Sequence, residues 1–150
     1  RLNHDSANTH FNLGIILKKI GKLEEAELSL RKAIQLKHNF AEAHSNLGSI
    51  LKDLGKLKEA ELSLRKAIEY NPYLGVAYFN LGNILKSSAK FDEALYNFQK
   101  AHENKMDPNK CSAAIGKVLL NQGHHVEGIQ NIKDGEGSII FDLKNGFSKI

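Results

Sequence analysis

Two polar residue types recur at a fixed spacing in the sequence and could form a binding surface. One asparagine and one lysine each recur three times at intervals of 34 residues. An asparagine amide both donates and accepts hydrogen bonds, so a row of amides can pair with a peptide backbone of any sequence. A row of lysines would hold acidic groups. The candidate residues are Asn12, Asn46, Asn80, Lys18, Lys52 and Lys86.

Apolar residues near these rows would add contact area. Phe11 and Phe79 each precede an asparagine of the row, while the smaller Ser45 and Ala113 hold equivalent places. A surface of mixed apolar and amide character suits an extended peptide, and we expect that peptide to be acidic or neutral because lysines attract carboxylates. The alternative is that the asparagines only bond carbonyl groups of neighbouring helices, and the sequence leaves both interpretations open.

Other chemistry-bearing residues predict no catalytic, metal or cofactor site. His124 and His125 are adjacent, and adjacent side chains on a helix diverge, which suits chelation poorly. His10 and His44 hold equivalent helix positions and are expected to pack. Cys111 stands alone near a helix start and is expected to be structural. We therefore expect no enzyme activity within this chain.

Composition limits the function classes further. The chain has 150 residues, of which 41% are hydrophobic and 25% charged, with a net charge of +4. Lysine and glutamate are interleaved, which is typical of a solvated helix surface, so no nucleic-acid partner is predicted. No apolar run approaches the roughly 18 residues of a membrane span, so no membrane partner is expected either. The single cysteine excludes an intrachain disulfide and suits a cytoplasmic location.

An internal repeat must position the two rows. The stretch "GKLEEAELSLRKAI" at 21–34 returns as "GKLKEAELSLRKAI" at 55–68, and residues 7–40 match residues 41–74 at 21 of 34 positions. Residues 75–108 follow the same pattern more loosely, and a worn copy occupies 109–135. A fixed period of this length indicates one structural unit used repeatedly.

Each unit is predicted to be a helix, a tight turn and a second helix. Apolar residues recur at helical spacing on both sides of a glycine such as Gly21, which can take the positive φ that closes a helix. Glycines inside the first helices, such as Gly48, predict a close approach to the alanines of the second helices, such as Ala60. Pro72 and Pro108 follow potential N-cap residues and predict the starts of two helices.

These residues resemble the tetratricopeptide repeat family, in an array of bacterial type. The family's Leu-Gly pair, two alanines and proline correspond in the second copy to Leu47, Gly48, Ala60, Ala67 and Pro72. The resemblance implies an all-α fold, an α-solenoid of about four helix-turn-helix repeats over residues 1–135, with the first helices forming a concave wall. The expected repeats are 7–40, 41–74, 75–108 and 109–135, with helix pairs at about 7–36, 41–70, 74–103 and 109–134.

The resemblance also bears on function. Asparagine rows in some arrays of this family, including those attached to a protein glycosyltransferase, hold peptides by their backbone, which implies a similar use here. The family's two-carboxylate clamp for chaperone C-termini is not matched, because Phe11 and Ile15 stand where lysine and asparagine would be needed. Chaperone docking is therefore disfavoured.

Both ends of the chain carry further expectations. Leu2 and Asn3 are placed like Tyr70 and Asn71, which suggests the end of a preceding repeat and an apolar end face, including Phe11 and Ile15, through which chains could self-associate. Residues 136–150 lose the helical period and predict a short β-hairpin or extended tail, turning at Asn145 and Gly146, or the start of another domain.

Two function classes follow. The first is a protein-interaction module or scaffold that binds an extended peptide of an unknown protein partner in its concave groove. The second is a substrate-recruiting or spacer segment of a larger enzyme, such as a transferase or oxygenase, whose catalytic domain lies elsewhere.

Overall fold

The computed structural model contains a stack of helix pairs. It describes residues 2–136, 139–142 and 146–149, with the side chains of residues 6–135. The predicted all-α solenoid is confirmed: each pair packs within itself, and successive first helices also adjoin one another. In the described residues the helices are α1 Leu2–Lys19, α2 Leu23–Leu36, α3 Ala41–Asp53, α4 Leu57–Tyr70, α5 Gly75–Ser87, α6 Phe91–Glu103, α7 Pro108–Asn121 and α8 His125–Glu136.

The predicted helix-closing turns are confirmed at three glycines. Gly21, Gly55 and Gly123 have φ values of 82°, 77° and 85°. At Gly21 the amide donates to the Lys18 carbonyl at 3.1 Å, and the following amide donates to the Leu17 carbonyl at 2.9 Å. These two hydrogen bonds satisfy carbonyl groups in the last turn of α1.

The third turn makes the same bonds without a glycine. Ala89 takes the turn position at φ 56°. Its amide donates to the Lys86 carbonyl at 3.1 Å, and the next amide donates to the Leu85 carbonyl at 2.9 Å. Because a Cβ crowds the backbone in the left-handed region, this turn is strained relative to the other three.

Two predictions about helix starts have different outcomes. Pro108 begins α7, and the Asp107 carboxylate caps it by accepting from the Asn109 amide at 2.9 Å, as expected. The prediction at Pro72 is wrong, because α5 begins only at Gly75. Asn71 instead ends α4 and accepts from the Tyr73 amide at 3.1 Å within the loop, so its side chain stabilises a turn.

The two ends differ from expectation or lie partly outside the described residues. α1 continues back to Leu2 without the break expected by analogy with Asn71, since no proline follows Asn3. Strands β1 Ile139–Asp142 and β2 Gly146–Lys149 pair antiparallel. The predicted turn residue Asn145 is outside the described residues, so the folding of residues 136–150 as one hairpin stays a prediction. Between residues 2 and 136 the structure contains no strand, as expected.

A continuous apolar core runs through the stack. It is built from the leucines, isoleucines and alanines of the repeat pattern, from Ala26 near one end to Val118 near the other. The predicted close approach at the helical glycines is confirmed, with a different main contact. A Cβ on Gly48 would lie 2.6 Å from Leu64 Cγ and 3.2 Å from the Ala60 carbonyl oxygen, so the glycine makes room chiefly for a leucine side chain.

Ion pairs between second helices align the first two repeats with their neighbours. Arg31 reaches both Glu27 on its own helix, at 2.8 Å, and Glu59 on the next second helix, at 2.7 Å. One repeat later, Arg65 pairs with Glu61 at 2.7 Å and Glu93 at 3.2 Å. The Glu27 carboxylate also accepts from Lys56 at 2.8 Å, and Lys90 lies 3.7 Å from Glu61. We call these pairs the second-helix ladder.

Candidate functional site

The predicted site residues lie on the first helices α1, α3 and α5. Each of these helices carries an asparagine two residues before its internal glycine and a lysine four residues after it. Because successive first helices adjoin, equivalent residues form rows along one side of the stack. We call the surface carrying these residues the first-helix face: Asn12, Asn46, Asn80, Lys18, Lys52, Lys86, Phe11 and Phe79.

The asparagines keep most of their hydrogen-bonding capacity. Asn12 is exposed, and Asn46 and Asn80 are half-buried. The Asn46 amide nitrogen donates to the Glu42 carbonyl at 2.9 Å within its own helix. This bond uses a donor and leaves the Asn46 Oδ1 as an acceptor. The row therefore bonds to helix carbonyls at one position while retaining amide groups that a peptide backbone could meet.

The three lysines have different surroundings. The Lys18 amine donates to the Ser49 hydroxyl at 2.7 Å, which links α1 to α3. The Lys52 amine lies 3.4 Å from the Asp53 carboxylate. Among the described side chains no carboxylate pairs with Lys86. The three positions therefore all hold lysine, but the positive charge of the amine is compensated to a different extent at each position.

The two phenylalanines contribute to the core as well as to the face. Phe11 is half-buried, with its ring centroid 4.7 Å from that of Phe40. Phe79 is also half-buried and lies 5.4 Å from the ring of Phe98. Each ring therefore packs against a core aromatic ring on one side and presents only part of its surface to a ligand.

A cleft between α5 and α7 collects several polar residues at one end of the first-helix face. It has a volume of about 390 Å³ and brings Phe79 and Lys86 together with Asn83 of α5. Its other wall includes Lys110 and Lys117 of α7. Burial, together with the charge of Lys117, lowers the pKa of Lys86 below its ordinary value. The cleft is therefore electropositive, and one of its amines is partly removed from water.

Sequence reasoning missed three residues of this cleft. Asn83, Lys110 and Lys117 were not predicted, because they do not belong to the regular rows. Lys117 stands 34 residues after Asn83 and therefore occupies the same place in the fourth repeat. A comparison of every position across the repeats, including positions where the residue type changes, would have identified Asn83 and Lys117.

His44 and Cys111 have structural environments, whereas His124 and His125 are exposed. His44 is buried, its Nε2 lies 2.9 Å from the His38 carbonyl oxygen, and its ring packs 5.5 Å from that of Tyr70. Burial raises the pKa of the Cys111 thiol, and the Asp107 charge raises it further, so a reactive thiolate is disfavoured. The predicted packing role of His44 and the structural role of Cys111 are confirmed.

The described part of the chain contains neither a candidate metal cluster nor a candidate membrane-spanning helix. No group of three or more histidine, cysteine, aspartate or glutamate side chains there is arranged to hold a metal ion. No helix in the same part is both long enough and apolar enough to cross a bilayer.

Family comparisons identify the repeats. One model, described as a TPR repeat, matches residues 16–55, and a second, described as a tetratricopeptide repeat, matches residues 41–74. A comparison with curated proteins found no significant match.

Solved structures share the fold over most of the chain. MamA is 27% identical with a TM-score of 0.79, and the match covers 86% of this chain and 75% of MamA. PilF of Pseudomonas aeruginosa is 20% identical with a TM-score of 0.81, over 90% of this chain and 62% of PilF. The first TPR domain of Spaghetti (RPAP3), bound to the HSP90 peptide SRMEEVD, is 20% identical with a TM-score of 0.76, over 79% of this chain and 94% of that domain.

The chain therefore shares its fold with these three solved structures. The sequence matches cover most of the first repeat and all of the second, and the structural matches extend the likeness across most of the helix pairs. Residues 16–74 therefore match the tetratricopeptide repeat in sequence, and the helical array shares the fold of MamA over 86% of the chain.

Proposed function

We propose that the first-helix face binds an extended, acidic or neutral peptide segment of a protein partner. The asparagine amides would pair with the peptide backbone, and the lysines would attract its acidic groups. Each backbone contact contributes only about 0.5 to 1.5 kcal/mol net, so binding relies on repetition and micromolar affinity is expected. The chain would act as an interaction module rather than as a catalyst.

The observation that carries this proposal is the row of incompletely bonded asparagines. Asn12 is exposed, and neither it nor Asn80 makes a hydrogen bond to another described group. Asn46 bonds a carbonyl of its own helix and still offers its oxygen. Polar side chains that serve only packing would be expected to use both halves of their amides, so the row is better suited to an external ligand.

The structural likeness to a peptide-bound relative gives general support. The Spaghetti domain holds an HSP90 peptide on the same fold. The sequence of the present chain, with Phe11 and Ile15 on α1, still disfavours a chaperone C-terminus as its ligand. A different peptide class is therefore proposed for the first-helix face.

A random peptide library can test the asparagine row without knowledge of the partner. Selected peptides would be titrated against the wild type and the Asn46→Ala/Asn80→Ala variant. Loss of two backbone contacts should weaken all ligands by a similar factor, roughly 5- to 150-fold. Asn131→Ala is the matched control, because Asn131 makes the same type of bond, to the Glu127 carbonyl at 2.9 Å, on the second helix α8.

The result that would overturn the proposal is specific. If the double variant retains the same peptides with unchanged affinity, the asparagines are structural and the interaction surface lies elsewhere. If Asn131→Ala weakens binding as much as the double variant does, the effect is not a property of the first-helix face.

A second candidate function is self-association through the outer face of α1. Leu13 is 43% exposed, whereas Leu47, its equivalent one repeat later, is 3% exposed. Ile16 is 57% exposed and its equivalent Ile50 is fully buried. Phe11 and Ile15, expected on this face, are half-buried, so the proposed patch is centred on Leu13 and Ile16 instead.

Light scattering across a concentration series tests this second candidate. We expect the wild type to associate as its concentration rises toward the millimolar range, because an apolar patch gains by burial. Ile16→Glu should keep the chain monomeric. A wild type that stays strictly monomeric over the range would contradict the candidate.

The alternative role in a larger enzyme and the role of residues 136–150 also stay proposals. A recruiting segment would use the same first-helix face, so the two function classes share the peptide test. The C-terminal segment is proposed to fold as a hairpin that covers the last repeat. Faster proteolysis of α8 after removal of residues 139–150 would support that role, and unchanged proteolysis would contradict it.

A further inference from the structure

The second helices carry an exposed apolar side chain at the same place in three successive repeats. Leu28, Leu62 and Tyr96 are 69%, 64% and 56% exposed and follow one another at intervals of 34 residues. A single exposed leucine is ordinary, because much of any protein surface is apolar. Three such residues at one repeat position form a line across α2, α4 and α6, which is typical of an interaction surface. We call these three residues the second-helix row.

A lysine stands four residues after each member of the second-helix row. These lysines are Lys32, Lys66 and Lys100, and residues four apart on a helix are neighbours on one face. The Lys100 amine lies 2.6 Å from the Glu103 carboxylate, and Lys32 donates to the Gln35 amide oxygen at 3.1 Å. Among the described side chains no carboxylate pairs with Lys32 or Lys66. This flank of the row therefore carries positive charge that the described array does not neutralise.

The opposite flank of the row holds glutamates that are already paired. Each stands three residues before a member of the row: Glu25, Glu59 and Glu93. Lys22 lies 2.7 Å from Glu25, and the other two glutamates pair with Arg31 and Arg65 of the second-helix ladder, at 2.7 Å and 3.2 Å. The lysines of a second copy would have to displace these partners, and an anionic bilayer would be repelled by the carboxylates. The charges therefore favour a protein partner that brings its own carboxylates.

A cleft beside Leu62 provides space for side chains of such a partner. It has a volume of about 470 Å³ and lies between α2, α3 and α4. Its lining includes the apolar side chains of Ile34, Leu47 and Leu62, together with the polar Lys66. An apolar side chain that enters the cleft would therefore lie close to an amine that has no carboxylate partner in the described array.

The separation of the second helices favours a helical partner over an extended one. The Cα atoms of successive second helices are more than 8 Å apart, although Arg31 still reaches Glu59 across the gap. Side chains on one face of a strand recur about every 6.6 to 6.8 Å, and side chains one helical turn apart recur about every 5.4 Å. Side chains seven residues apart on a helix recur about every 10.5 Å. A helix that crosses the second helices can therefore place one apolar side chain beside each member of the row.

We propose that the second-helix row binds an amphipathic α-helix of a protein partner. The apolar side chains of this helix would recur every seven residues and pack beside the row. Its acidic flank would face Lys32 and Lys66. The inference goes beyond the proposed function, because it uses the other layer of helices and a ligand of different conformation. The chain would then hold an extended segment on its first helices and a helical segment on its second helices.

A library of helix-stabilised peptides tests the proposal without knowledge of the partner. The library would vary the residue type at every seventh position and along both flanks of the helix. We expect the peptides retained by the wild type to carry apolar residues at intervals of seven and carboxylates along one flank. Leu28→Ser/Leu62→Ser should weaken their binding at least about 10-fold, because two apolar contacts are lost. Unchanged affinity in this variant would overturn the proposal.

Val126→Ser is the matched control for the apolar contacts. Val126 is 84% exposed on the second helix α8, and it lies outside the row because Gln130 holds the equivalent position there. This variant should bind the selected peptides as the wild type does, with circular dichroism melts showing that each variant keeps the fold. Equal weakening by Val126→Ser and by the double leucine variant would overturn the assignment to the row.

Peptides of changed charge test the acidic flank. Each selected peptide would be compared with a form whose Asp and Glu residues are replaced by Asn and Gln. The wild type should bind the acidic form roughly 5-fold more tightly at low salt, and Lys32→Gln/Lys66→Gln should bind both forms equally. Lys58→Gln is the matched control, because Lys58 is exposed on the helix of Lys66 but stands four residues before Leu62. Loss of the preference in Lys58→Gln as well would overturn the assignment of the acidic flank.

Other occupants of the row would give different results. Self-association that is lost in Leu28→Ser/Leu62→Ser would show that a second copy covers the row. Tighter binding to phosphatidylserine vesicles than to the selected peptides, again lost in this variant, would assign the row to a membrane surface. Either result would overturn the proposal.

Competition separates this inference from the proposed function. A helical peptide and an extended peptide from the random library should bind the chain at the same time, and Asn46→Ala/Asn80→Ala should weaken only the extended one. Displacement of one peptide by the other would overturn the inference of a separate surface. Row-dependent binding of helices without asparagine-dependent binding of extended peptides would support the inference and contradict the proposed function, and the opposite pattern would do the reverse.

Discussion

The first two repeats and the last two share a core but differ in how neighbouring repeats meet at the surface. In residues 7–74 the second-helix ladder connects each second helix to the next through Arg31 and Arg65. In residues 75–135 the equivalent positions hold Leu95 and Gln99, which cannot continue it. Between the third and fourth repeats, Gln122 instead donates a hydrogen bond to Asp92 at 2.9 Å.

The backbones also approach differently in the first and the fourth repeat. Gly14 faces the side chain of Leu30, whose Cγ would lie 2.8 Å from an added Cβ. Gly116 faces the backbone of α8, where the Gly128 carbonyl oxygen would lie 2.5 Å from an added Cβ. Glycine at position 128, in place of the usual alanine, lets α7 and α8 come closer together.

This difference explains why part of the sequence is almost repeated. A residue such as Glu59 must fit the repeat before it, and Arg65 must fit the repeat after it, so complementary surfaces require the same letters in successive units. Where the residue types differ from those of the preceding repeats, as at Leu95 and Gln99, the second-helix ladder ends. The electropositive cleft lies in that divergent half, between α5 and α7.

The largest expected effect tests whether both halves share one core. Leu47 and Leu81 occupy equivalent positions and are 3% and 2% exposed. Changing either to Ala should lower the free energy of unfolding by about 2 to 5 kcal/mol, because a buried cavity is left. Urea denaturation measures the loss, and Leu13→Ala, at an exposed equivalent position, should cost much less. Midpoints near that of the wild type for both buried variants would contradict the core.

The next prediction compares the first and fourth repeats by how closely their paired helices approach. Gly116→Ala should cost about 2 kcal/mol, since backbone must move, whereas Gly14→Ala should cost about 1 kcal/mol or less, since a side chain can adjust and helix propensity improves. Thermal unfolding compares the two variants. Equal costs would mean that the closer approach of α7 and α8 has no energetic consequence.

The ladder should contribute stability that depends on pH. Burial raises the pKa of Glu27, but hydrogen bonds and charges from Lys56 and Arg31 outweigh burial and place it below its ordinary value. A lowered carboxyl pKa means that this stability is present above the unfolded pKa and is lost as pH falls through the folded pKa. Glu27→Gln should cost about 1 to 2 kcal/mol at neutral pH and reduce the loss on acidification.

The matched change in the other half is Gln122→Ala. It removes an exposed hydrogen bond and should cost less than about 0.5 kcal/mol with no added pH dependence. Urea titrations from neutral to acidic pH compare the two variants. The ladder has no special role if both show the same small cost.

The smallest effect concerns the turn in the third repeat. Ala89→Gly should raise the free energy of unfolding by about 0.5 to 1 kcal/mol, because glycine accepts a φ of 56° without strain. Gly55→Ala, at φ 77°, should have the opposite sign. Calorimetry of both variants checks this pair, and a destabilised Ala89→Gly would show that strain is absent from the turn.

The period made much of the fold predictable from sequence. Leu47, Gly48 and Ala60 recur at fixed places because each repeat must bury the same apolar surfaces, so helix pairs and buried residues follow from the pattern. Pro72 misled the prediction of a helix start, since an Asn-Pro pair can form a turn as readily as it caps a helix.

The site residues were predictable from sequence only where they recur at a fixed spacing. The asparagine and lysine rows follow from spacing alone, but the different partners of Lys52 and Lys86 depend on neighbouring residues that vary. The ladder was missed because Arg31 and Glu59 are 28 residues apart and become partners only when repeats stack. Complementarity between repeats is a property of packing, and it is not visible in a single unit.

The most direct test of the central claim is an NMR titration of a library-selected peptide that follows the asparagine side-chain amides. We predict that the signals of Asn12, Asn46 and Asn80 shift with the same dissociation constant, while that of Asn131 stays unchanged. Shifts confined instead to the second helices, around the exposed side chains of Leu28, Leu62 and Tyr96, would place the ligand on the other side of the stack and contradict the account.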